Sequence, residues 1–201
     1  MRTEAKPAHS LIALEAPADR APWLVLAIGN PSRGDDAFGA LMAERLQTWL
    51  HTQPPERADQ VELICTLQLH TEHVFDLQGR QGVLFVDAQD GRAQDAEAST
   101  PRCDTLTAMA PNRAWESHHC PPAALLGLYQ QLLGEAPPPA QVLSAPARDF
   151  ELGAPPSAAL RALLDPAWQC LQTWLTATEA ADATTGRFRA SSDHVAPARA
   201  R

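Results

Sequence analysis

The feature that most restricts this chain is WLVLAI, Trp23–Ile28, a run in which every side chain is apolar and which stops at Gly29. A strand with one wet face alternates apolar and polar residues. One that is apolar throughout is covered on both faces, as in parallel sheets flanked by helices. After the loop GNPSRGDD, apolar residues fall at Phe38, Leu41, Met42, Leu46, Trp49 and Leu50, spaced as one stripe of an amphipathic helix. VELICT (61–66) reads as a second strand, a short helix is expected near 71–78, and QGVLFVDA (81–88) is a third strand apolar on both faces. Strand, helix, strand, helix, strand within about 65 residues implies parallel βαβ units with right-handed crossovers.

The stretch QDGRAQDAEASTPR has no apolar periodicity and provides no crossover helix, so CDTLTAM (103–109) is expected to extend the sheet antiparallel. PPAALLGLYQQLLG (121–134) is a helix with prolines at its start, where a missing N–H is harmless. PPPAQVLSA (137–145) supplies a last strand. Residues 157–175 form a terminal helix that Pro166 must kink or restart, with Asp165 as the new cap. The expected fold is α/β: a three-layer sandwich, with a mostly parallel twisted sheet of about five strands and helices on both faces. Residues 1–22 read as a flexible lead-in, 23–178 as a single domain and 179–201 as a disordered tail.

Composition removes several function classes. The net charge of −8 comes without a Lys/Arg cluster, so phosphate backbones and anionic lipid are repelled. Neither nucleic acid nor membrane is an expected partner, and no apolar run approaches the ~20 residues of a membrane span. Cys65, Cys103, Cys120 and Cys170 are widely spaced with no C-x-x-C, which points to reduced thiols in a cytoplasmic protein. A monomer is the default expectation.

Ligands of parallel sheets bind beyond the carboxyl ends of the strands. Two acidic features stand there: Asp35–Asp36 after the first strand, and Asp87 at the end of the third. One acid suffices to cap the helix that follows the first loop, so Asp35 is assigned to the cap and Asp36 to chemistry. Asp87, directly behind VLFV, is a partly desolvated carboxylate that calls for a cation or a donor. His118–His119 in ESHHC precede the third helix and add a ligand or proton donor; the loop before them is long enough to reach the two acids. Two carboxylates and an imidazole suit a borderline divalent metal with open positions. A rival cluster is His70, Glu72 and His73, at helical spacing. Cys65 and Cys120 are candidate nucleophiles, for which structural burial is the plainer account. No G-x-S-x-G elbow or G-x-x-x-x-G-K-[ST] loop is present, and GNPSRG lacks dinucleotide-binding glycine spacing.

LVLAIGNPSRGDDAFGALMAERL (24–46) resembles the first motif of the [NiFe]-hydrogenase maturation endopeptidases, a strand leading to G-N-x-x-x-x-D-[DE]-x-x-G. VLFVDA is similar to the family's apolar strand ending in Asp, SHH to its loop His, and RDFELG (148–153) to its closing segment. The resemblance implies an α/β sandwich in which Asp36, Asp87 and His119 contact nickel, with His118 adjacent. It also implies a metal-dependent or aspartic-type peptidase that removes a C-terminal extension from the hydrogenase large-subunit precursor, the nickel being carried by that precursor. With structural burial the plainer account of the cysteines, water attack on a carbonyl near the metal is the favoured route. Asp36 stands where many members have Glu. TLQLHTE (66–72) replaces a Gly-rich loop, and Gln68 and Glu72 are candidates to line the substrate groove. Two other classes are consistent with the same residues: a non-catalytic nickel-sensing chaperone for the precursor, and, less well, a nucleotide-binding α/β protein.

Overall fold

The computed structural model describes residues 20–90, 100–109 and 120–185, with side chains to 181. Its elements are β1 (Trp23–Ile28), α1 (Phe38–Leu50), α2 (Pro55–Ala58), β2 (Val61–Thr66), β3 (Gly82–Asp90), β4 (Arg102–Leu106), α3 (Pro122–Leu133), β5 (Ala140–Ala147) and α4 (Ala158–Thr185). Two 3-10 turns, Gly34–Ala37 and Thr71–Leu77, follow β1 and β2. The strands form one sheet in the order β2-β1-β3-β5-β4, in which only the edge strand β4 runs antiparallel. This is the expected α/β sandwich.

Period-two alternation along the strands divides the core between two faces. Trp23, Val25, Ala27, Leu84, Val86, Leu143 and Ala145 face α1 and α4. Leu24, Leu26, Ile28, Val83 and Phe85 face the Thr71–Leu77 turn and α3. Every residue of β1 is buried, because β1 lies between two strands and under two helical layers.

Three details differ from the sequence reading. The terminal helix runs unbroken through Pro166, and Asp165 caps no second segment but pairs with Arg45 at 2.7 Å. An interior proline costs about 3 kcal/mol. Beyond it Ala167, Trp168, Leu171, Trp174 and Leu175 all enter the core, at roughly 1.5–3 kcal/mol for each large side chain. Burial wins. The helix also passes the expected boundary at 178 and reaches Thr185: Thr178 is buried, Glu179 pairs with Arg57, and the following segment is Ala-rich. Finally, β3 does not end with the residues after Asp87 but continues to Asp90, where it pairs with the extended end of β5. Of the expected lead-in and tail, residues 1–19 and 186–201 lie outside the described residues. Among the described residues, no helix is long and apolar enough to cross a membrane.

Gly39, in the first turn of α1, lets the helix rest on the end of β1: a Cβ there would stand 2.0 Å from the carbonyl oxygen of Ile28. That obstacle is backbone of a buried central strand and has no room to give. Gly39→Ala should therefore lower unfolding stability by about 3 kcal/mol or more, read as a fall in the urea midpoint at unchanged slope.

Candidate active site

The last β1–β3 rung is Ala27↔Val86. One residue further, β1 turns away through Gly29 while β3 carries Asp87 onward, so Asp87 sits on a ledge beside the first loop. Gly29 has φ +136°, and a Cβ on it would meet the carbonyl oxygen of Asp36 at 2.1 Å. The loop thus folds back tightly on the strand end and returns Asp36 to the place where the strand left. The Gly29 N–H donates to Thr66 O at 3.0 Å, fixing the end of β2 at the same edge.

Asp36 is half-buried and its Oδ2 accepts the Asn30 N–H at 3.1 Å. The Asp87 carboxyl is pushed up to about 7, first by desolvation and then by the negative charge of Asp36, against a smaller opposing bond from the Ala88 N–H. The two acids are therefore close enough for the charge of Asp36 to act on Asp87. Among the described residues no Lys or Arg pairs with either of them.

Asp35 behaves otherwise than expected. Neither the 3-10 turn nor α1 has a side-chain cap. Asp35 is only 2% exposed and reaches across the chain: its Oδ2 accepts the N–H groups of Arg148 (3.0 Å) and Asp149 (3.2 Å), and its Oδ1 that of Ser157 (2.8 Å). Desolvation works to raise its pKa, but these donors together outweigh it and the net shift is downward. Ser157 in turn caps α4, its Oγ accepting the Leu160 N–H at 3.0 Å. Asp35 is therefore a clamp joining the first loop, the segment after β5 and the last helix. The sequence reading missed this role. The available signal was the polar, aperiodic RDFELG segment, whose backbone donors needed acceptors from elsewhere.

His118 and His119 lie outside the described residues. In the rival cluster, the His70 and His73 rings stand 6.1 Å apart, but His73 Nδ1 is paired with Asp76 at 2.9 Å and Glu72 points to solvent. Among the described residues no three His, Cys, Asp or Glu side chains are grouped as a metal site. Desolvation pushes the Cys65 and Cys120 thiols up, which makes both poor nucleophiles. An apolar pocket of about 290 Å³, lined by Trp49, Arg57, Val61 and Leu175 among others, opens at the opposite, amino end of the strands and contains neither acid.

Several solved structures of hydrogenase maturation peptidases share this architecture. HybD, a hydrogenase maturating endopeptidase from E. coli, superposes with a TM-score of 0.56 at 21% identity, over 78% of this chain and 93% of that one. The chain has the fold of the hydrogenase maturation endopeptidases. The [NiFe] hydrogenase maturation protease HycI from Thermococcus kodakarensis gives 0.53 at 20% identity, over 79% and 93%. A hydrogenase 2 maturation peptidase from a Thaumarchaeota archaeon gives 0.51 at 19%, over 76% and 97%. No protein-family model and no curated protein matches the sequence.

Two stability measurements test the site. Asp35→Ala strands three backbone donors and should cost roughly 3 kcal/mol or more in urea unfolding. Asp87→Asn should do the opposite. A carboxyl whose folded pKa is raised is most favourable to folding below about 4, and its contribution is lost as pH rises through about 7. In chelator-treated buffer the Asn variant should match the parent near pH 4 and exceed it by roughly 2–4 kcal/mol at pH 8.

Proposed function

We propose that this chain is a processing endopeptidase that removes the C-terminal extension of a [NiFe]-hydrogenase large-subunit precursor after nickel has been inserted. One observation carries the reading: a desolvated carboxyl tuned to about 7 lies beside a second carboxylate at the carboxyl edge of the sheet, with no cationic partner among the described residues. The fold shared with hydrogenase maturation peptidases supports the substrate class.

In this reading Asp36, Asp87 and His119 contact the nickel that the precursor brings in its cysteine site. The donor chemistry fits: hard carboxylates with an imidazole, which complete a shell rather than hold an ion alone. Burial and mutual repulsion, both adverse to Asp87 in the free protein, are relieved by an incoming cation. The ion polarises the scissile carbonyl. Asp87, held as an anion by that incoming charge, takes a proton from a water molecule. The water oxygen adds to the carbonyl carbon, the C–N bond breaks, and the proton passes to the departing amine. Asp36, fixed by the Asn30 N–H, positions the ion and the water. The partner is the precursor protein, nickel enters as part of the substrate, and the compartment is that of the precursor, the cytoplasm.

Nickel-loaded precursor incubated with the protein should lose one C-terminal peptide by mass spectrometry, while nickel-free precursor stays intact. Asp87→Asn and His119→Ala should each slow cutting at least a hundredfold with circular dichroism unchanged. An intact precursor mass throughout, together with measurable binding, would instead identify a nickel-sensing chaperone.

A further inference from the structure

Three large apolar side chains are exposed among the described residues: Leu67, Met109 and Leu152. Two of them, Leu67 and Leu152, stand in loops at the carboxyl edge of the sheet, the edge that carries the acidic pair. Leu67 follows the last residue of β2, whose Thr66 carbonyl is bonded to Gly29, and it is 63% exposed. It is held outward: Thr66 Oγ donates to Gln68 O at 2.8 Å, and Leu69 is buried just beyond.

Leu152 is 74% exposed and lies in the loop after β5. Glu151–Ala154 is a β-turn closed by the Ala154 N–H on Glu151 O at 3.2 Å, with Gly153 at φ +85°, as the third position of a type II turn requires. The Gly153 N–H donates to Ser32 O at 2.7 Å, and Ala154 O accepts the Gly34 N–H at 3.0 Å. The same loop is gripped upstream by Asp35. A turn stapled this firmly does not present Leu152 through slackness. Both leucines sit on fixed backbone at the edge where Asp36 and Asp87 meet.

We propose that Leu67 and Leu152 are the specificity-determining contacts for the peptide segment cut at this site. That segment is an extended peptide laid along the carboxyl edge of the sheet, with an apolar side chain against each leucine. This rests on the endopeptidase reading and adds the chemistry of what it accepts. Leu67 leaves the end of β2, and the Leu152 turn is bonded to Ser32 and Gly34 in the loop after β1, the strand next to β2. Asp36 stands in that same loop after β1, so a peptide held against both leucines is held at the edge that carries the acids. Contacts made equally before and during the reaction change KM and leave kcat alone.

The experiment uses full-length protein and nickel-loaded precursor, with cutting followed by mass spectrometry and binding by fluorescence anisotropy of the labelled precursor. Leu67→Ser and Leu152→Ser should each raise KM and the dissociation constant about tenfold, with kcat within about twofold of the parent. Leu67→Met and Leu152→Met should restore both to within about threefold. If the parent cuts and both serine variants keep its KM, the leucine contacts are refuted while the peptidase reading stands. A parent that binds without cutting removes the peptidase reading, and the dissociation constants still decide the role of the leucines. Absence of both binding and cutting overturns the two together.

Discussion

Everything at this site follows from β1 and β3 running side by side in the same direction. A parallel pair delivers both of its outgoing loops to one edge, whereas an antiparallel pair would send the two acids to opposite ends of the sheet. The register then sets their heights. Because Ala27 stands opposite Val86, the tight reversal at Gly29 begins where Asp87 emerges from beneath its neighbour. β1 ends; β3 continues. The carboxyl of Asp87 thus gains burial from the sheet without losing its opening to the edge.

The two consecutive acids of the first loop show how one short turn serves two purposes. Successive residues of a 3-10 turn point about 120° apart, so Asp35 and Asp36 have no means of facing the same way. Asp35 turns inward, is satisfied by backbone donors from Arg148, Asp149 and Ser157, and is stabilised as an anion. Asp36 turns toward Asp87 and raises its pKa. The first carboxylate fixes the frame in which the second acts, and it does so by fastening a segment more than a hundred residues away in the chain. Local sequence alone offers no way to see that reach.

The fold was legible because its signals are local. WLVLAI and VLFV are apolar at every position, the α1 stripe has one period, and the prolines at 121–122 mark a helix start. Even the antiparallel edge strand followed from a missing crossover helix. Where the reading failed, distant packing had overridden a local rule. Of the two outcomes expected at Pro166, a kink or a restart, the restart does not occur, and the aromatic and aliphatic side chains beyond it reach the core only if the helix continues. Asp35 ought to cap α1, yet an unmet set of backbone donors lay closer in space. At the site, Asp36 and Asp87 were identifiable from position, since strand ends are where a parallel sheet exposes chemistry. The outward leucines were not, because an isolated leucine in a loop reads the same whether it folds under or stands out.

The state of Asp87 also bears on how the proposed reaction would be restricted to the right substrate. In the free protein this carboxyl is desolvated and faces a like charge, so its anion is disfavoured at neutral pH. A conventional ion site would avoid this with a nearby Lys or Arg, and would thereby lose its demand for a cation. Among the described residues no Lys or Arg meets that demand. A precursor lacking its metal would meet two carboxylates with nothing to neutralise them, whereas a loaded one brings the charge that both require. The same electrostatic penalty that costs the free protein stability then becomes a difference in binding between the two precursor forms, since only interactions gained by one and not the other discriminate. On this argument selectivity for the loaded precursor needs no separate sensor: it is a property of two acids placed side by side with no counter-ion among the described residues.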